Sequence, residues 1–189
     1  MSPTPILVVT GPPASGKSTI ARELAQRLAL PLIAKDEIKE ILYESLGVGD
    51  RAWSQRLGGA TYALIFHLVS RQLQAGRPCV IEGTFGAEIA NSRFADLCER
   101  WPFLALQIFC TAPEGVLVSR YAERVPSRHP GHLDTSIVDE LKAQIWRGLW
   151  AALDLPGRMI SVETSDFGIV DMNAVLNEAL AHLEQPPVA

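Results

Sequence analysis

The sequence predicts an α/β fold of three layers, in which helices cover both faces of a five-stranded parallel sheet and a small helical lid is added. Two observations support this prediction. Segments with the periodicity of a strand alternate with segments with the periodicity of a helix, which is typical of parallel strands joined by helices. The strand-like segments are also short apolar runs, as expected where a sheet is covered on both faces.

The first strand is predicted at residues 5–10, a β-branched run followed by a turn rich in glycine and proline. The next helix has apolar residues at every fourth position over residues 20–28. A short second strand at residues 32–34 precedes a helix that ends near Leu46. Because aspartate is a favoured residue at helix N-termini, we expect Asp36 to cap this helix.

A long helix is predicted over about residues 50–75. Its apolar residues form two stripes, so it is either mostly buried or forms the wall of a pocket. The third strand, residues 79–81, ends at Glu82, and a helix follows over residues 90–101. The nearly continuous apolar run at residues 103–110 predicts a fourth strand in the interior of the sheet.

The last third of the chain contains another helix, a polar segment and a final strand–helix pair. A helix is predicted over residues 113–125, and the segment 126–132 is polar, basic and rich in turn residues. Apolar spacing then predicts a helix over residues 137–149, a strand at residues 159–162 and a final helix over residues 176–183.

The composition is that of a globular protein. Of the 189 residues 48% are hydrophobic and 20% are charged, and no internal repeat or long linker divides the chain. We therefore predict a single domain over residues 1–189. The net charge of −4 and the lack of a basic stripe argue against nucleic-acid binding. No apolar run approaches the roughly 20 residues that span a bilayer, so we expect a cytoplasmic protein without a membrane partner.

Cysteine usage excludes two further classes of protein. Cys79, Cys98 and Cys110 are odd in number and show no C-x-x-C spacing. A disulfide scaffold and a zinc site are therefore not expected.

Residues 11–18, GPPASGKS, match the phosphate-binding pattern G-x-x-x-x-G-K-[ST]. Its glycines allow a tight turn in which successive backbone N–H groups face phosphate oxygens. The lysine reaches the β- and γ-phosphates, and the hydroxyl group that follows it is a ligand for Mg²⁺. A strand before the pattern and an amphipathic helix after it complete the expected context. The residues predicted to bind the nucleotide here are Gly11, Pro13, Ala14, Ser15, Gly16, Lys17, Ser18 and Thr19.

Two carboxylates follow predicted strands. Asp36 comes just after the second strand, whose C-terminal end we expect beside the phosphate-binding end of the first strand. Because ligands of open parallel sheets bind outside the carboxyl ends of the strands, Asp36 could accept a proton from a hydroxyl group or orient that group. Glu82 ends the third strand, where it could bind Mg²⁺ through water or contact a substrate. Lys35 and Glu37 are expected to be solvated.

Arginines at four-residue spacing precede the turn-rich segment. Arg120, Arg124 and Arg128 could belong to a lid at about residues 120–135 that closes over a nucleotide and neutralises the transferred phosphoryl group. The alternative is a solvated helix face paired with Glu123 and other acids. His129 and His132 have the spacing H-x-x-H but no third ligand nearby, so a hinge is a better interpretation than a metal site.

Other classes of phosphate-binding-loop protein lack support. The base-recognition sequence N-K-x-D of GTPases is absent, and the chain is short for a motor ATPase and lacks a strong acidic Walker B run. The arrangement that remains is that of a small kinase, in which a phosphate cradle, a base and a mobile basic lid act together.

With these residues the chain resembles the small P-loop kinases, with an adenylate-kinase-like fold. The likeness is greatest to the group of zeta toxins, chloramphenicol phosphotransferases and polynucleotide kinases, which are often described only as AAA-family ATPases. The resemblance implies that Asp36 is the general base, that Arg120 lies near adenine and that Arg124 and Arg128 belong to the lid. The loop after the last strand, including Thr164, resembles the segment that touches adenine in that group.

The expected function is transfer of the γ-phosphate of ATP to a hydroxyl group of a small molecule, with Mg²⁺ as cofactor. The catalytic residues would be Lys17, Asp36, Arg124 and Arg128, and the metal residues Ser18 and Glu82. Aromatic residues of the long helix, Trp53 and Tyr62, point to an apolar or ring-bearing acceptor. Together with the two carboxylates, the predicted acceptor contacts are Asp36, Glu82, Trp53 and Tyr62. The alternatives are a 5′-hydroxyl polynucleotide kinase and a nucleotide-binding, toxin-like regulatory module. The acceptor's identity and the oligomeric state remain open.

Overall fold

The computed structural model describes residues 3–132 and 150–184. Its strands and helices alternate along the chain as the sequence predicts. The strands are β1 (Thr4–Thr10), β2 (Leu32–Ala34), β3 (Val80–Glu82), β4 (Phe103–Thr111) and β5 (Gly157–Glu163). The helices in the described part are α1 (Lys17–Leu28), α2 (Lys35–Leu46), α3 (Arg51–Gln74), α4 (Ala87–Arg100), α5 (Glu114–Arg124) and α6 (Met172–Leu183). The helix predicted over residues 137–149 lies outside the described residues.

The five strands form one parallel sheet in the order β2-β3-β1-β4-β5. The central strand β1 pairs with β4 from Thr4 opposite Phe103 to Thr10 opposite Phe109. All five strands therefore end at the same edge of the sheet. This confirms the predicted fold class.

The neighbours of β1 differ from the sequence prediction. We expected β2 beside β1, but β3 lies between them: Val80 of β3 pairs with Leu7 of β1 on one side and with Leu32 of β2 on the other. The reason is burial, because all three residues of β3 are buried whereas Leu32 at the sheet edge is only half-buried. Asp36 is thus one strand further from the phosphate-binding loop than expected.

Two apolar cores lie on opposite faces of the sheet. On one face, Ile65 and Val69 of α3 and Phe94 of α4 pack against Ile6 and Val8 of β1. On the other face, α1 and α6 cover the alternate β1 residues Leu7 and Val9. Successive residues of a strand point to opposite faces, so β1 contributes to both cores. This arrangement makes the three layers.

The start of α2 also differs from the prediction. The helix begins at Lys35, with Ala34 at its N-cap position and no side-chain cap. Asp36 is therefore the second residue of the helix and not its cap. Because it does not cap the helix, its carboxylate is available for other contacts.

The predicted lid region is described up to His132. It comprises the end of α5 and two short 3₁₀ turns, Val125–Ser127 and Pro130–His132. Residues 133–135 of the predicted lid lie outside the described residues. Within the described residues, no helix is both long and apolar enough to cross a bilayer.

Candidate active site

The phosphate-binding loop joins β1 to α1 at the carboxyl edge of the sheet. Gly11 has φ +141°, and a Cβ atom there would lie 2.1 Å from the Cys110 carbonyl oxygen of β4. Ala14 and Gly16 both have left-handed backbones, with φ 63° and 74°. Alternation of such residues with right-handed ones turns backbone N–H groups towards a common centre, as in anion-binding nests. The N-terminus of α1 adds its positive end to this cradle.

Lys17 is buried at the base of the loop. Its side chain is 7% exposed, and Nζ donates a hydrogen bond to the Pro12 carbonyl oxygen at 3.2 Å. Burial lowers the pKa of Lys17, whereas the nearby carboxylates of Glu82 and Asp36 act in the opposite direction. Lys17, Glu82 and Asp36 lie together because β1, β3 and β2 end side by side at this edge of the sheet and Glu82 is hydrogen-bonded to Ser18, the residue after Lys17.

Ser18 and Glu82 form a second element of the site. The Ser18 hydroxyl donates to Glu82 Oε1 at 3.1 Å, and Glu82 is only 3% exposed. Burial raises the pKa of the Glu82 carboxyl, partly offset by the positive charge of Lys17. A hydroxyl and a carboxylate oxygen at a phosphate cradle fit Mg²⁺, which usually takes one or two protein oxygens together with water and substrate phosphates. Within the described residues no cluster of three or more histidine, cysteine or acidic side chains could hold a metal alone.

Asp36 has two cationic partners. Its Oδ2 accepts a hydrogen bond from Arg128 Nη2 at 2.6 Å, and its Oδ1 lies 3.2 Å from Lys35 Nζ. Burial by itself would raise the pKa of Asp36, but Lys35 and Arg128 outweigh it and hold the pKa well below its usual range. Lys35 is 19% exposed, so the expectation of a solvated lysine is wrong. Glu37 does lie at the surface, where it pairs with Arg22.

The loop after β5 packs on the phosphate-binding loop. The Thr164 hydroxyl is fully buried and lies 2.9 Å from both the Ser15 and the Thr111 carbonyl oxygens. Arg120 Nη2 donates to the carbonyl oxygens of Thr164 and Ser165, each at 2.7 Å. The structure therefore brings together Arg120 and Thr164, the two residues expected near adenine, next to the phosphate cradle.

Phe167 is part of the same loop, and the sequence analysis missed it. Its ring packs over Gly16, where a Cβ atom would come within 2.1 Å of the ring. The Arg120 guanidinium lies 5.4 Å from the centroid of the same ring. A lone phenylalanine in a loop gives no signal in the sequence, because its partners are about 47 and 151 residues away along the chain.

Arg124 is the last residue of α5. Its guanidinium is 4.7 Å from the centroid of the Tyr121 ring, and Tyr121 packs against Ala14 of the phosphate-binding loop. The charge of Arg124 contributes to lowering the pKa of Lys17. The structure therefore places Arg124 near Lys17 and Arg128 on Asp36.

Trp53 and Tyr62 occupy different positions. Trp53 packs on the connection between α2 and α3, where its indole N–H donates to the Gly47 carbonyl oxygen at 2.9 Å and its ring lies against Gly49. The Tyr62 hydroxyl donates to the Thr84 carbonyl oxygen at 2.6 Å, just beyond Glu82. Of the two, Tyr62 borders the site. The described contacts of Trp53 are with the connection between α2 and α3.

The turn that carries Arg128 is held by a polar cluster that the sequence did not reveal. His129 stacks on Tyr43 at 5.3 Å between ring centroids, and His132 Nε2 lies 2.9 Å from Glu40 Oε1. Tyr43 is 1% exposed and shares a 2.6 Å hydrogen bond with Ser54. In the described structure the two histidines thus dock the turn onto α2.

The parallel sheet, the phosphate cradle and the acidic residues at its edge define a P-loop nucleotide-binding protein with the fold of the small kinases. The family comparison agrees: residues 6–171 match the AAA_33 model, described as an AAA domain, and the chain belongs to this family.

Several solved structures are similar. The crystal structure of a "putative kinase" from Chloroflexus aurantiacus is 35% identical, with a TM-score of 0.85 over 97% of this chain and 100% of that one. A sugar kinase from Janibacter is 17% identical, with a TM-score of 0.59 over 96% and 95% of the two chains. Shikimate kinase from Bacteroides thetaiotaomicron is 16% identical, with a TM-score of 0.53 over 96% and 99%. The last two show the fold alone. A search of curated proteins found no match.

Proposed function

We propose that the protein transfers the γ-phosphate of ATP to a hydroxyl group of a small molecule, with Mg²⁺ as cofactor. The observation that carries this proposal is the convergence of Lys17, Glu82 and Asp36 at one edge of the sheet, where β1, β3 and β2 end side by side and Glu82 is hydrogen-bonded to Ser18. A phosphate cradle next to two carboxylates is what phosphoryl transfer to an acceptor requires. The kinase names of the similar structures support the same class.

The nucleotide would lie along the phosphate-binding loop, from Gly11 to Thr19. Backbone N–H groups and Lys17 would hold the phosphates, and Ser18 and Glu82 would hold Mg²⁺, which supplies charge neutralisation at the phosphate oxygens. Arg120 and the Thr164 loop would lie near the adenine base, because they are hydrogen-bonded to each other and Thr164 contacts Ser15 of the phosphate-binding loop.

Asp36 would act on the acceptor. The acceptor oxygen attacks the γ-phosphorus, the bond from that phosphorus to the bridging oxygen breaks, and the acceptor proton passes to Asp36. Because Lys35 and Arg128 keep its pKa low, Asp36 is ionised at neutral pH and accepts a hydrogen bond from the hydroxyl group. In a loose transition state this orientation contributes more than early removal of the proton.

The lid arginines would neutralise the transferred group. Arg128 is hydrogen-bonded to Asp36, and Arg124 lies near Lys17. Both guanidinium groups are therefore close to the position that a γ-phosphate would take. A move of Arg128 from Asp36 to that phosphate would release the carboxylate for the acceptor at the moment when it is needed.

Substitution of Asp36 tests the proposal. We expect Asp36→Asn to reduce phosphate transfer by roughly 100- to 10,000-fold, because the acceptor loses its proton acceptor, and to leave the Kd for ATP almost unchanged. Transfer would be measured as ADP release over a panel of sugars, hydroxy acids and other hydroxylated metabolites, and binding by calorimetry. Glu37→Gln, an exposed acid one residue along, is the matched control. Equal turnover by Asp36→Asn would remove Asp36 from the mechanism.

The same assay tests the narrower alternatives. An oligonucleotide with a 5′-hydroxyl end belongs in the panel, and binding of such a polymer should weaken steeply with added salt. Binding of ATP with no transfer to any acceptor would instead favour a regulatory module.

A further inference from the structure

A cavity of about 430 Å³ adjoins the candidate site. It lies between α3 and α4, and the segment after β3 closes its inner end. This volume is within the range of roughly 300–1,000 Å³ that is typical of small-molecule sites. The described lining residues are Gly59, Tyr62, Ala63, Phe66, Thr84, Phe85, Gly86, Ile89, Ala90, Arg93 and Trp150.

Two residues, Tyr62 and Lys35, connect this cavity to Asp36. Lys35, whose Nζ lies 3.2 Å from Asp36, is also 5.9 Å from the centroid of the Tyr62 ring. Tyr62 lines the cavity and is hydrogen-bonded to Thr84, two residues after Glu82. Tyr62 and Lys35 therefore lie between the cavity and Asp36, and the hydroxyl end of a bound acceptor would extend past them to the carboxylate.

The lining is mainly apolar. Four aromatic side chains contribute to it, and few polar groups face a ligand. The Tyr62 hydroxyl already donates its proton to the Thr84 carbonyl oxygen. Hydroxyl groups of a ligand buried here would lose their hydrogen bonds to water without replacement, which is unfavourable for each unpaired group. A polyhydroxylated sugar is therefore a poor match for this cavity.

One cationic residue stands at the α4 side. Arg93 is the single charged residue in the described lining, and within the described residues no carboxylate forms an ion pair with it. Its guanidinium is exposed, so an anionic group of the ligand could reach it without displacing an internal partner. The cavity therefore combines an apolar wall, one positive charge and, at Tyr62, a side that faces Lys35 and the proposed base Asp36.

From these features we infer that the acceptor is a ring-bearing, largely apolar alcohol with an anionic group, whose ring fills the cavity and whose anion faces Arg93. This inference rests on the proposed phosphotransferase function, because that function assigns the hydroxyl end to Asp36. It narrows the acceptor from hydroxylated small molecules in general to amphipathic hydroxy acids.

The probes are three small alcohols. Para-hydroxymethyl benzoate has an aromatic ring, one primary hydroxyl and a carboxylate; its methyl ester lacks the charge; quinate keeps a six-membered ring and a carboxylate but carries several hydroxyls. Transfer is measured as ADP release with ATP and Mg²⁺. Binding is measured separately by calorimetry with a non-hydrolysable ATP analogue. We expect kcat/KM and affinity to be highest for the benzoate and lowest for quinate.

Two variants locate the binding. Gly59 is an exposed residue of α3, and a Cβ atom added there would meet no atom of a neighbouring element within 4 Å, so Gly59→Leu fills the cavity without a clash at its first carbon. Gly115 on α5 has the same open surroundings, and Gly115→Leu is the matched control. Gly59→Leu should weaken binding of the benzoate at least about tenfold, and Gly115→Leu should not change it.

Arg93→Gln tests whether the anionic group of the ligand contacts Arg93. Arg100→Gln on the same helix is the control. Loss of an exposed ion pair should raise the KM for the benzoate about two- to fivefold and leave the KM for its methyl ester unchanged. A KM for quinate below that for the benzoate would overturn the inference and leave the proposed function intact. Binding of the benzoate that is sensitive to Gly59→Leu, without any transfer, would overturn its assignment as the acceptor, whereas failure of the proposed function would appear as absence of transfer to every acceptor of the panel. Absence of both binding and transfer for the benzoate would overturn the inference.

Discussion

Gly131 is the position at which a single methyl group should release the turn that carries Arg128. A Cβ atom at Gly131 would lie 2.6 Å from three atoms of the Tyr43 ring. The ring has little room to yield: it is 1% exposed, stacked on His129 and hydrogen-bonded to Ser54. We therefore expect Gly131→Ala to displace the turn and not the ring.

The size of the effect follows from the overlap. Overpacking of a close-packed site typically costs about 1–3 kcal/mol, which corresponds to a roughly 5- to 150-fold loss in the docking equilibrium of the turn. Because the docked turn is a small unit at the surface, most of this cost should appear as local opening and not as global unfolding. Arg128, three residues away, would then leave Asp36.

The assay does not depend on enzyme activity. The His132 amide donates to the His129 carbonyl oxygen at 3.0 Å, so its hydrogen exchange reports on the docked turn. In Gly131→Ala this amide should exchange roughly 5- to 150-fold faster, and amides of β1 should be unaffected. Gly115→Ala, where nothing lies within 4 Å of the added carbon, is the control. Unchanged exchange at His132 in Gly131→Ala would refute the docking argument.

Two further predictions concern buried polar groups. Because burial raises the pKa of Glu82, the folded state binds this proton more tightly than the unfolded state does, and stability falls as pH rises from the unfolded value of about 4.3 through the raised folded value. Glu82→Gln should flatten this slope and raise the melting temperature at pH 7 while phosphate transfer is lost; a lower melting temperature would contradict the reasoning. Thr164→Val removes the buried hydroxyl that bridges the loop after β5 to Ser15 and Thr111. It should lower the free energy of unfolding, measured by denaturation, by about 1–3 kcal/mol and raise the Kd for ATP, measured by calorimetric titration. Ser92→Ala, which removes an exposed hydroxyl, should change neither quantity.

The phosphate-binding loop and the order of the elements could be predicted because they depend on local features. The spacing of Gly11, Gly16, Lys17 and Ser18 lies within eight consecutive residues, and the strands are recognisable as apolar runs. The rule that parallel strands end at one edge was enough to bring Asp36 and Glu82 to the same site. The strand order was not predictable, because β2 and β3 are both strands of three residues that begin with two apolar side chains, and such short segments do not show which of them pairs with β1.

The contacts of individual side chains were harder to predict from the sequence. Lys35 was expected in solvent but lies against Asp36. The packing of Trp53 on the connection between α2 and α3 was not expected either. Helical periodicity shows which residues share a face, not what the neighbouring element places opposite that face.

By itself, then, the sequence determined the class of fold and the chemistry of the phosphate cradle, because short-range spacing dictates the turn, the helix N-terminus and the lysine. Only the tertiary structure decided that Arg128 meets Asp36, that Phe167 covers Gly16 and that an apolar cavity lies beside Tyr62. These contacts join residues 92 and 151 positions apart or separate helices. They arise from packing of whole elements across the sheet, which no local pattern records.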